Sequence, residues 1–413
     1  MIKFNKIDFS IIWWIFSLVL VYCAEIVDKL NRSSGEGRIG ALIRIFLILG
    51  FCIYIFISLN GRLKVKYYFI FISFLACIFF GILFTLINYN YDLYSSFYMC
   101  VRYISGLIFL VSACIATNNV NPENIKSAYK IVSIFFLLVF LINLSFALIG
   151  YFGNIEIFKT YGYFLNDSGL DSYYDSRFGF NGFIVEQNIS SYFFFIGFVI
   201  LFYSYIKNIF YFLFFIFLVF FISILTGTKT LFGMTMFFIV LIFIKNNNLR
   251  IFFLFLLVML ISVYIVVLDK VGTILSFEFW NTLLSNRVYF LNERFFSESY
   301  KTNIFNFFFG NFYDSPNKFL VEMEYVDLLS FFGVCGLILY VYVVLVCIKS
   351  TLKNAYSNLS ISIFVILFAC AFSGHLFYDP TSSFFFSYLL LFLGLLARYR
   401  NSVNFSNIKD IKK

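Results

Sequence analysis

Residues 208–244 read NIFYFLFFIFLVFFISILTGTKTLFGMTMFFIVLIFI, two almost uninterrupted apolar runs separated by Gly227-Thr228-Lys229. A helix that crosses the hydrocarbon of a bilayer needs about 20 mostly apolar residues, so each run predicts a membrane helix. The second run is short, which leaves open a broken or re-entrant pair of helices near 226–230. This stretch alone indicates a helical membrane protein.

The composition of the whole chain agrees with that reading. Of the 413 residues, 62% are hydrophobic and 12% are charged, against roughly 45–50% and about 25% in soluble domains. A soluble core of this length could not bury so much apolar surface, and the same numbers exclude a disordered chain. The net charge of +9 is therefore interpreted by position relative to the membrane, and it does not indicate nucleic-acid binding.

The other apolar runs have the length of membrane spans. They lie near 9–27, 39–59, 67–87, 94–116, 131–152, 184–206, 250–268, 325–348, 359–377 and 382–398. Together with the pair at 208–244 they predict an all-α polytopic integral membrane protein with about 12 transmembrane helices. We expect one membrane domain over residues 1–413, with two sizeable outer loops at 153–183 and 269–324.

The distribution of Lys and Arg predicts the orientation of this domain. More than half of the 30 basic residues fall in segments on the same side as the N-terminus, which places both termini in the cytoplasm under the positive-inside rule. The first outer loop, with Lys29, Arg32 and Arg38, opposes the rule. Long loops are weak orientation signals, so the basic residues of 153–183 and 269–324 do not contradict it.

The first long outer loop contains Ser176-Arg177-Phe178-Gly179 and is followed by Glu186-Gln187-Asn188. Arg177 offers a rigid fork of N–H donors that suits phosphate oxygens. The alternative is an aromatic belt at the membrane interface, in which Arg177 pairs with Asp175.

Lys229 follows Thr226-Gly227-Thr228 between two very apolar runs. A lysine at this depth is costly unless it has a partner. One interpretation is an anion contact at the start of a helix, where free N–H groups also point outward. The other is a short hairpin whose lysine extends its amine to the interface.

The second long outer loop carries Arg287 and Arg294, which share a helix face because they are seven residues apart. They predict a helix lying on the membrane with two cations, and a solvated surface helix explains the spacing equally well. Glu324 and Asp327 share a face at the outer end of the next span. A general base for a sugar hydroxyl is one role for such carboxylates, and an ion pair with Arg287 or Arg294 is the other.

Two further residues are candidates because of their position. Arg102 lies in the middle of a predicted span, where a charge faces a cavity or a partner. His375, the only histidine, lies at the outer end of the eleventh span, and an interfacial hydrogen-bonding role is the simpler alternative. With one histidine, and with the eight cysteines all in or beside apolar runs, the sequence predicts no metal site and no disulfide framework.

The order of these motifs resembles a known family. An Arg-Phe-Gly segment precedes Glu186-Gln187-Asn188, a Thr-Gly-Thr-Lys turn joins two central spans, and Glu322-Met323-Glu324-Tyr325-Val326-Asp327 follows a long outer loop. In layout, roughly residues 90–395 resemble the O-antigen polymerase and O-antigen ligase family, especially the Wzy-type oligosaccharide repeat unit polymerases.

The resemblance implies an inner-membrane glycosyltransferase that needs neither metal nor cofactor. Its substrate would be an undecaprenyl-diphosphate-linked oligosaccharide at the periplasmic face, and a chain-length regulator and a flippase are candidate partners. Carried over from the family, Arg177, Arg287 and Arg294 are candidates for contact with the diphosphate, and Lys229 stands where the family has a basic residue. Taken with the positional arguments above, the candidate catalytic residues are Glu324, Asp327 and Arg287. The candidate substrate-binding residues are Arg177, Arg294, Lys229, Asn188, Arg102 and His375.

Two alternatives remain at this stage. O-antigen ligases typically carry a histidine in the long outer loop, and residues 269–324 contain none, which favours the polymerase. A lipid-linked oligosaccharide flippase would show two related halves, and no internal repeat is visible here.

Overall fold

The computed structural model describes residues 8–34, 39–59, 76, 78–79, 93–165, 172–205, 209–245, 287, 291, 304–310, 323–352, 357–372 and 374–411. Eleven α-helices have described bounds within these ranges. They are α1 (Phe9–Ser34), α2 (Ile39–Leu59), α3 (Leu93–Asn119), α4 (Ile125–Gly153), α5 (Gln187–Tyr205), α6 (Ile209–Thr226), α7 (Lys229–Lys245), α8 (Ile304–Phe309), α9 (Glu324–Thr351), α10 (Ser357–Cys370) and α11 (Pro380–Ile411).

Seven of these helices are long and apolar enough to cross a membrane: α1 to α5, α9 and α11. Helices α6, α7 and α10 are apolar but shorter in the part that the structure describes. The chain is therefore a multi-pass helical membrane protein by length and composition, while the expected count of about 12 spans is not confirmed. Most of the predicted span 67–87, all of the predicted span 250–268 and most of the loop 269–324 lie outside the described residues.

Two helices are shorter than their apolar runs predict. Helix α5 begins at Gln187 instead of 184, and α10 ends at Cys370 instead of 377. In both places the chain instead forms irregular backbone, at 181–186 and 374–379. Hydropathy could not reveal these segments because their residues are largely apolar as well.

A two-stranded hairpin stands in the loop between α4 and α5, where the sequence predicted no regular structure. Strand β1 (Lys159–Leu165) pairs antiparallel with β2 (Ser172–Phe180), and Arg177 lies opposite Thr160. Both strands are rich in Tyr and Phe, which favour extended backbone. The helical class therefore holds for the described residues, with this hairpin as an addition.

Helix α11 lies at the centre of the bundle: in its most apolar stretch, 94% of the residues are buried. Aromatic rings pack around it. The ring of Trp14 stacks on Phe384 with centroids 5.4 Å apart and contacts Phe51 at 4.9 Å. Helix α2 instead leaves large apolar side chains such as Phe46 and Phe56 exposed, as expected of a face that meets lipid.

Helix α9 is kinked at Gly333, whose backbone has φ 66° and ψ −177°. Gly310, directly after α8, has φ 87° and lies against this kink. A Cβ at Gly310 would overlap the Phe331 carbonyl, and a Cβ at Gly333 would overlap the backbone nitrogen of Gly310. The two glycines therefore permit a backbone crossing that no other residue type would allow.

Candidate functional site

The buried charged residues that the structure describes gather at one end of the bundle, which we call the hairpin end. It comprises the β1–β2 hairpin, the segment 181–186, the turn between α6 and α7, the start of α9 and the segment 374–379. Met323 forms an isolated parallel β-bridge with Gly374, which joins the start of α9 to the segment 374–379. Asp379 accepts a 2.7 Å hydrogen bond from the Ser382 backbone N–H and thereby caps α11.

Glu324 is the most buried of the candidate residues, with no exposed surface. One carboxylate oxygen, Oε2, accepts a 2.7 Å hydrogen bond from the backbone N–H of Leu376. The other oxygen, Oε1, is buried and has no hydrogen-bond partner among the described residues. The backbone N–H groups of Phe377 and Tyr378 also act on this carboxylate, so the segment 374–379 surrounds it with N–H donors.

Asp327 lies one turn further along α9 and is 2% exposed. Its Oδ2 is 3.7 Å from Nδ1 of His375, which is longer than a hydrogen bond but within reach of an ion pair. The ring of His375 lies 4.9 Å from the ring of Tyr378. The segment 374–379 therefore supplies both the hydrogen bond to Glu324 and a histidine within ion-pair distance of Asp327.

Arg102 extends from α3 to the same segment. Its guanidinium carbon lies 3.9 Å from the ring centre of Tyr378 and 5.4 Å from that of Tyr98. Its nearest ion-pair contact is with Asp379 at 3.8 Å, and 23% of the Arg102 side chain is exposed. Aromatic faces thus orient a cation whose side chain is only partly exposed.

Tyr378 provides a neutral ring for this contact. Burial raises the pKa of Tyr378 to about 12, and the charge of Arg102 lowers it by a smaller amount. The phenol is therefore protonated at neutral pH, and it can serve as a cation–π partner and a hydrogen-bond donor.

Two other predicted residues lie near this group. The side chain of Asn188, in the first turn of α5, packs against Gly374, and a Cβ on Gly374 would lie 3.2 Å from the Asn188 Cγ. Arg287 is 7% exposed. Its charge acts on Tyr192 of α5, so this arginine is buried within the bundle and is not a solvated surface charge.

Two further candidates, Arg177 and Lys229, belong to the hairpin side of this end. Gly179 of β2 has φ 113°, and a Cβ there would overlap the Thr226 carbonyl at the end of α6. The Arg177 strand therefore lies directly on the turn before Lys229, and the two motifs that the sequence treated separately are neighbours. Lys229 is exposed at the start of α7. The side chain of Arg177, its pairing with Asp175, and Arg294 are outside the described part of the chain.

Sequence reasoning missed several residues of this end. Tyr378 and Asp379 lie three and four residues after His375, and the Asp379-Pro380 pair between two apolar runs was the signal for them. Tyr103 is fully buried, and its hydroxyl has no hydrogen-bond partner among the described residues. Nothing in its sequence context distinguishes Tyr103 from the other tyrosines among the 30 in the chain.

The described residues contain no group of three or more His, Cys, Asp or Glu side chains that could hold a metal ion. The chemistry that the arrangement supports is proton transfer by Glu324 or by the Asp327–His375 pair, combined with anion contacts from arginine. No protein-family profile, curated protein or solved structure matches this chain significantly.

Proposed function

We propose that this chain is a glycosyltransferase of the bacterial inner membrane that polymerises undecaprenyl-diphosphate-linked oligosaccharide repeat units. The observation that carries the proposal is Glu324, a fully buried carboxylate held by the backbone of segment 374–379, at the end of the bundle that also holds Arg102 and Arg287. A general base and cations are the two components that transfer from a lipid diphosphate requires.

In the proposed reaction, a hydroxyl of the acceptor sugar attacks the anomeric carbon of the donor. The bond from that carbon to the diphosphate oxygen breaks, and its electron pair leaves with the lipid diphosphate. The acceptor proton passes to Glu324, and the configuration at the anomeric carbon is inverted. Arginine N–H groups offset the charge that develops on the leaving group, so the donor's own activation replaces a nucleotide or metal.

The proposal also gives a role to each of the remaining candidates. Arg102, Arg177, Arg287, Arg294 and Lys229 are proposed to contact the diphosphate, and Asn188 and His375 to contact sugar hydroxyls. Asp327 is proposed to orient His375 and to assist proton transfer. Both termini would lie in the cytoplasm and the hairpin end in the periplasm, where the chain would work beside a flippase and a chain-length regulator.

The test is an assay of purified protein in liposomes with an undecaprenyl-diphosphate-linked repeat unit. A ladder of longer glycans on electrophoresis is the expected result. Transfer only to an added lipid A–core acceptor would identify a ligase instead. Movement of the lipid across the bilayer without new glycosidic bonds would identify a flippase.

Arg287→Lys is the first variant to compare in this assay. Lysine keeps the charge but cannot bind a phosphate with two parallel N–H groups. We expect at least a tenfold loss of rate at unchanged expression, which corresponds to about 1.4 kcal/mol. Lys126→Arg, on the exposed start of α4, is the matched control. Full activity of Arg287→Lys would remove this residue from the proposed catalytic set.

A further inference from the structure

Segment 181–185, between β2 and α5, runs through the interior of the hairpin end. Asn181, Gly182, Ile184 and Val185 are all buried, although they belong to neither a helix nor a strand. Irregular backbone inside a membrane domain is unfavourable unless other groups satisfy its N–H and C=O groups. The partners of this segment therefore reveal what holds it in place.

Lys29 makes more hydrogen bonds to this segment than either of the other two side chains described below. This residue of α1 has no exposed surface, and its Nζ donates hydrogen bonds to Asn181 Oδ1, to the Gly182 carbonyl and, at 2.9 Å, to the Ile184 carbonyl. An ammonium has three N–H donors, and here three oxygens of one short segment surround it. The residue that opposed the predicted topology as a loop charge is thus an interior residue.

Two other buried side chains complete the set. Asn143 of α4 donates to the Asn181 carbonyl and accepts from the Phe183 N–H, both at 2.9 Å. Glu25 accepts a 3.0 Å hydrogen bond from the Val185 N–H.

Glu25 also connects this segment to the rest of the hairpin end. It accepts a 3.1 Å hydrogen bond from the Thr381 hydroxyl of α11 and pairs with Arg44, which also binds Asp28. The charges of Glu25, Asp28, Lys29 and Arg44 cancel. The burial of Lys29 therefore needs no external counter-ion.

The segment leads directly to candidate residues. Gln187 contacts the Gly227 carbonyl at 3.4 Å, Asn188 packs on Gly374, and Glu186 acts electrostatically on Arg102. A shift of segment 181–185 would displace the start of α5 relative to Arg102 and to the segment 374–379.

We propose that Lys29 is a positioning residue of the candidate site, whose ammonium fills a cage of three oxygens in segment 181–185 and thereby fixes the start of α5. As far as the effect on turnover is concerned, this inference rests on the proposed function. The cage itself is independent of it. Its chemistry suits a small primary ammonium, which provides a direct test.

The experiment truncates the Lys29 side chain to alanine and then adds the deleted atoms as a small amine in solution. In Lys29→Ala we expect the backbone amides of Phe183 and Val185 to lose protection against hydrogen exchange. We also expect kcat to fall by about 10²-fold, the scale of a misplaced site, with KM changed much less. n-Propylammonium replaces the deleted atoms and should restore both exchange protection and kcat, whereas n-propanol should restore neither. Lys130→Ala, at an exposed position of α4, is the control for loss of a lysine.

A second variant covers the case in which Lys29→Ala does not fold. Lys29→Arg keeps the charge, but its planar fork does not fit a cage built for three N–H groups of one nitrogen, so we expect a folded protein with reduced kcat. Normal exchange and normal kcat in either variant would overturn the proposal. Restored protection without restored kcat would also overturn it, because Lys29 would then have a structural role alone. If the wild type transfers no glycan, the proposed function fails, and the exchange and rescue measurements still decide whether the cage exists.

Discussion

The backbone N–H of Leu376 donates a 2.7 Å hydrogen bond to one carboxylate oxygen of Glu324 and leaves the other oxygen without a partner among the described residues. The bond joins the first turn of α9 to the segment before α11. It fixes the carboxylate in one orientation, and the backbone N–H groups of Phe377 and Tyr378 also act on it. This is the arrangement expected of a proton acceptor that must not move during a reaction.

Glu324→Gln tests this role. Glutamine keeps the shape and can still accept the Leu376 hydrogen bond, but it cannot take a proton. We expect turnover to fall by about 10²–10⁴-fold, the usual contribution of a general base, while the protein still folds and binds lipid-linked donor. The measurement is glycan transfer per folded molecule in liposomes. Glu123→Gln, at an exposed position before α4, should behave as wild type, and near-normal turnover in Glu324→Gln would exclude it as the base.

Arg102 and Tyr378 provide a second test, because the guanidinium lies 3.9 Å from the ring centre. Arg102→Lys loses the planar stacking and the fork of donors, so we expect the initial rate to fall about tenfold or more. Tyr378→Phe keeps the ring and should retain most of the rate. Initial rates at several donor concentrations measure both. Equal losses in the two variants would show that the phenol hydroxyl, and not the stacked ring, is what matters.

The crossing of Gly310 and Gly333 predicts a large effect on stability. Gly333→Ala places a Cβ at φ 66° against the backbone of Gly310, and such strain costs on the order of 1–3 kcal/mol before any clash is counted. We expect a clearly lower Tm in detergent, or failure to fold. Gly233→Ala in α7 is the matched control, since a Cβ there meets nothing within 4 Å and alanine favours a helix by roughly 1 kcal/mol. Equal Tm values for the two variants would contradict the described crossing.

The orientation of the chain can be tested at the two ends of α4. A short 3₁₀ helix precedes α4 at Pro122–Asn124, and another follows it at Glu156–Phe158. Both Glu123 and Glu156 are exposed. With the hairpin end outside, a membrane-impermeant maleimide should label Glu156→Cys in intact spheroplasts and label Glu123→Cys only after lysis. The reverse pattern would place the hairpin end in the cytoplasm. The unmodified chain, with its eight cysteines, gives the background.

The sequence by itself determined that this is a helical membrane protein. Apolar runs of about 20 residues are stable in the hydrocarbon of a bilayer, and there only a helix satisfies the hydrogen bonds of their own backbone. The runs at 39–59 and 208–226, for example, match α2 and α6 closely. Sequence spacing also placed Glu324 and Asp327 on one helix face, since that relation is local to a single element.

Only the tertiary structure decided which distant groups meet. Leu376 lies 52 positions from Glu324, and Asn181 lies 152 positions from Lys29, so neither contact follows from local periodicity. Hydropathy placed Lys29 in an outer loop, because a hydropathy scale gives a buried, paired lysine and an exposed lysine the same value. Partners from other elements decide whether a charge is buried, and the packing of helices decides those partners.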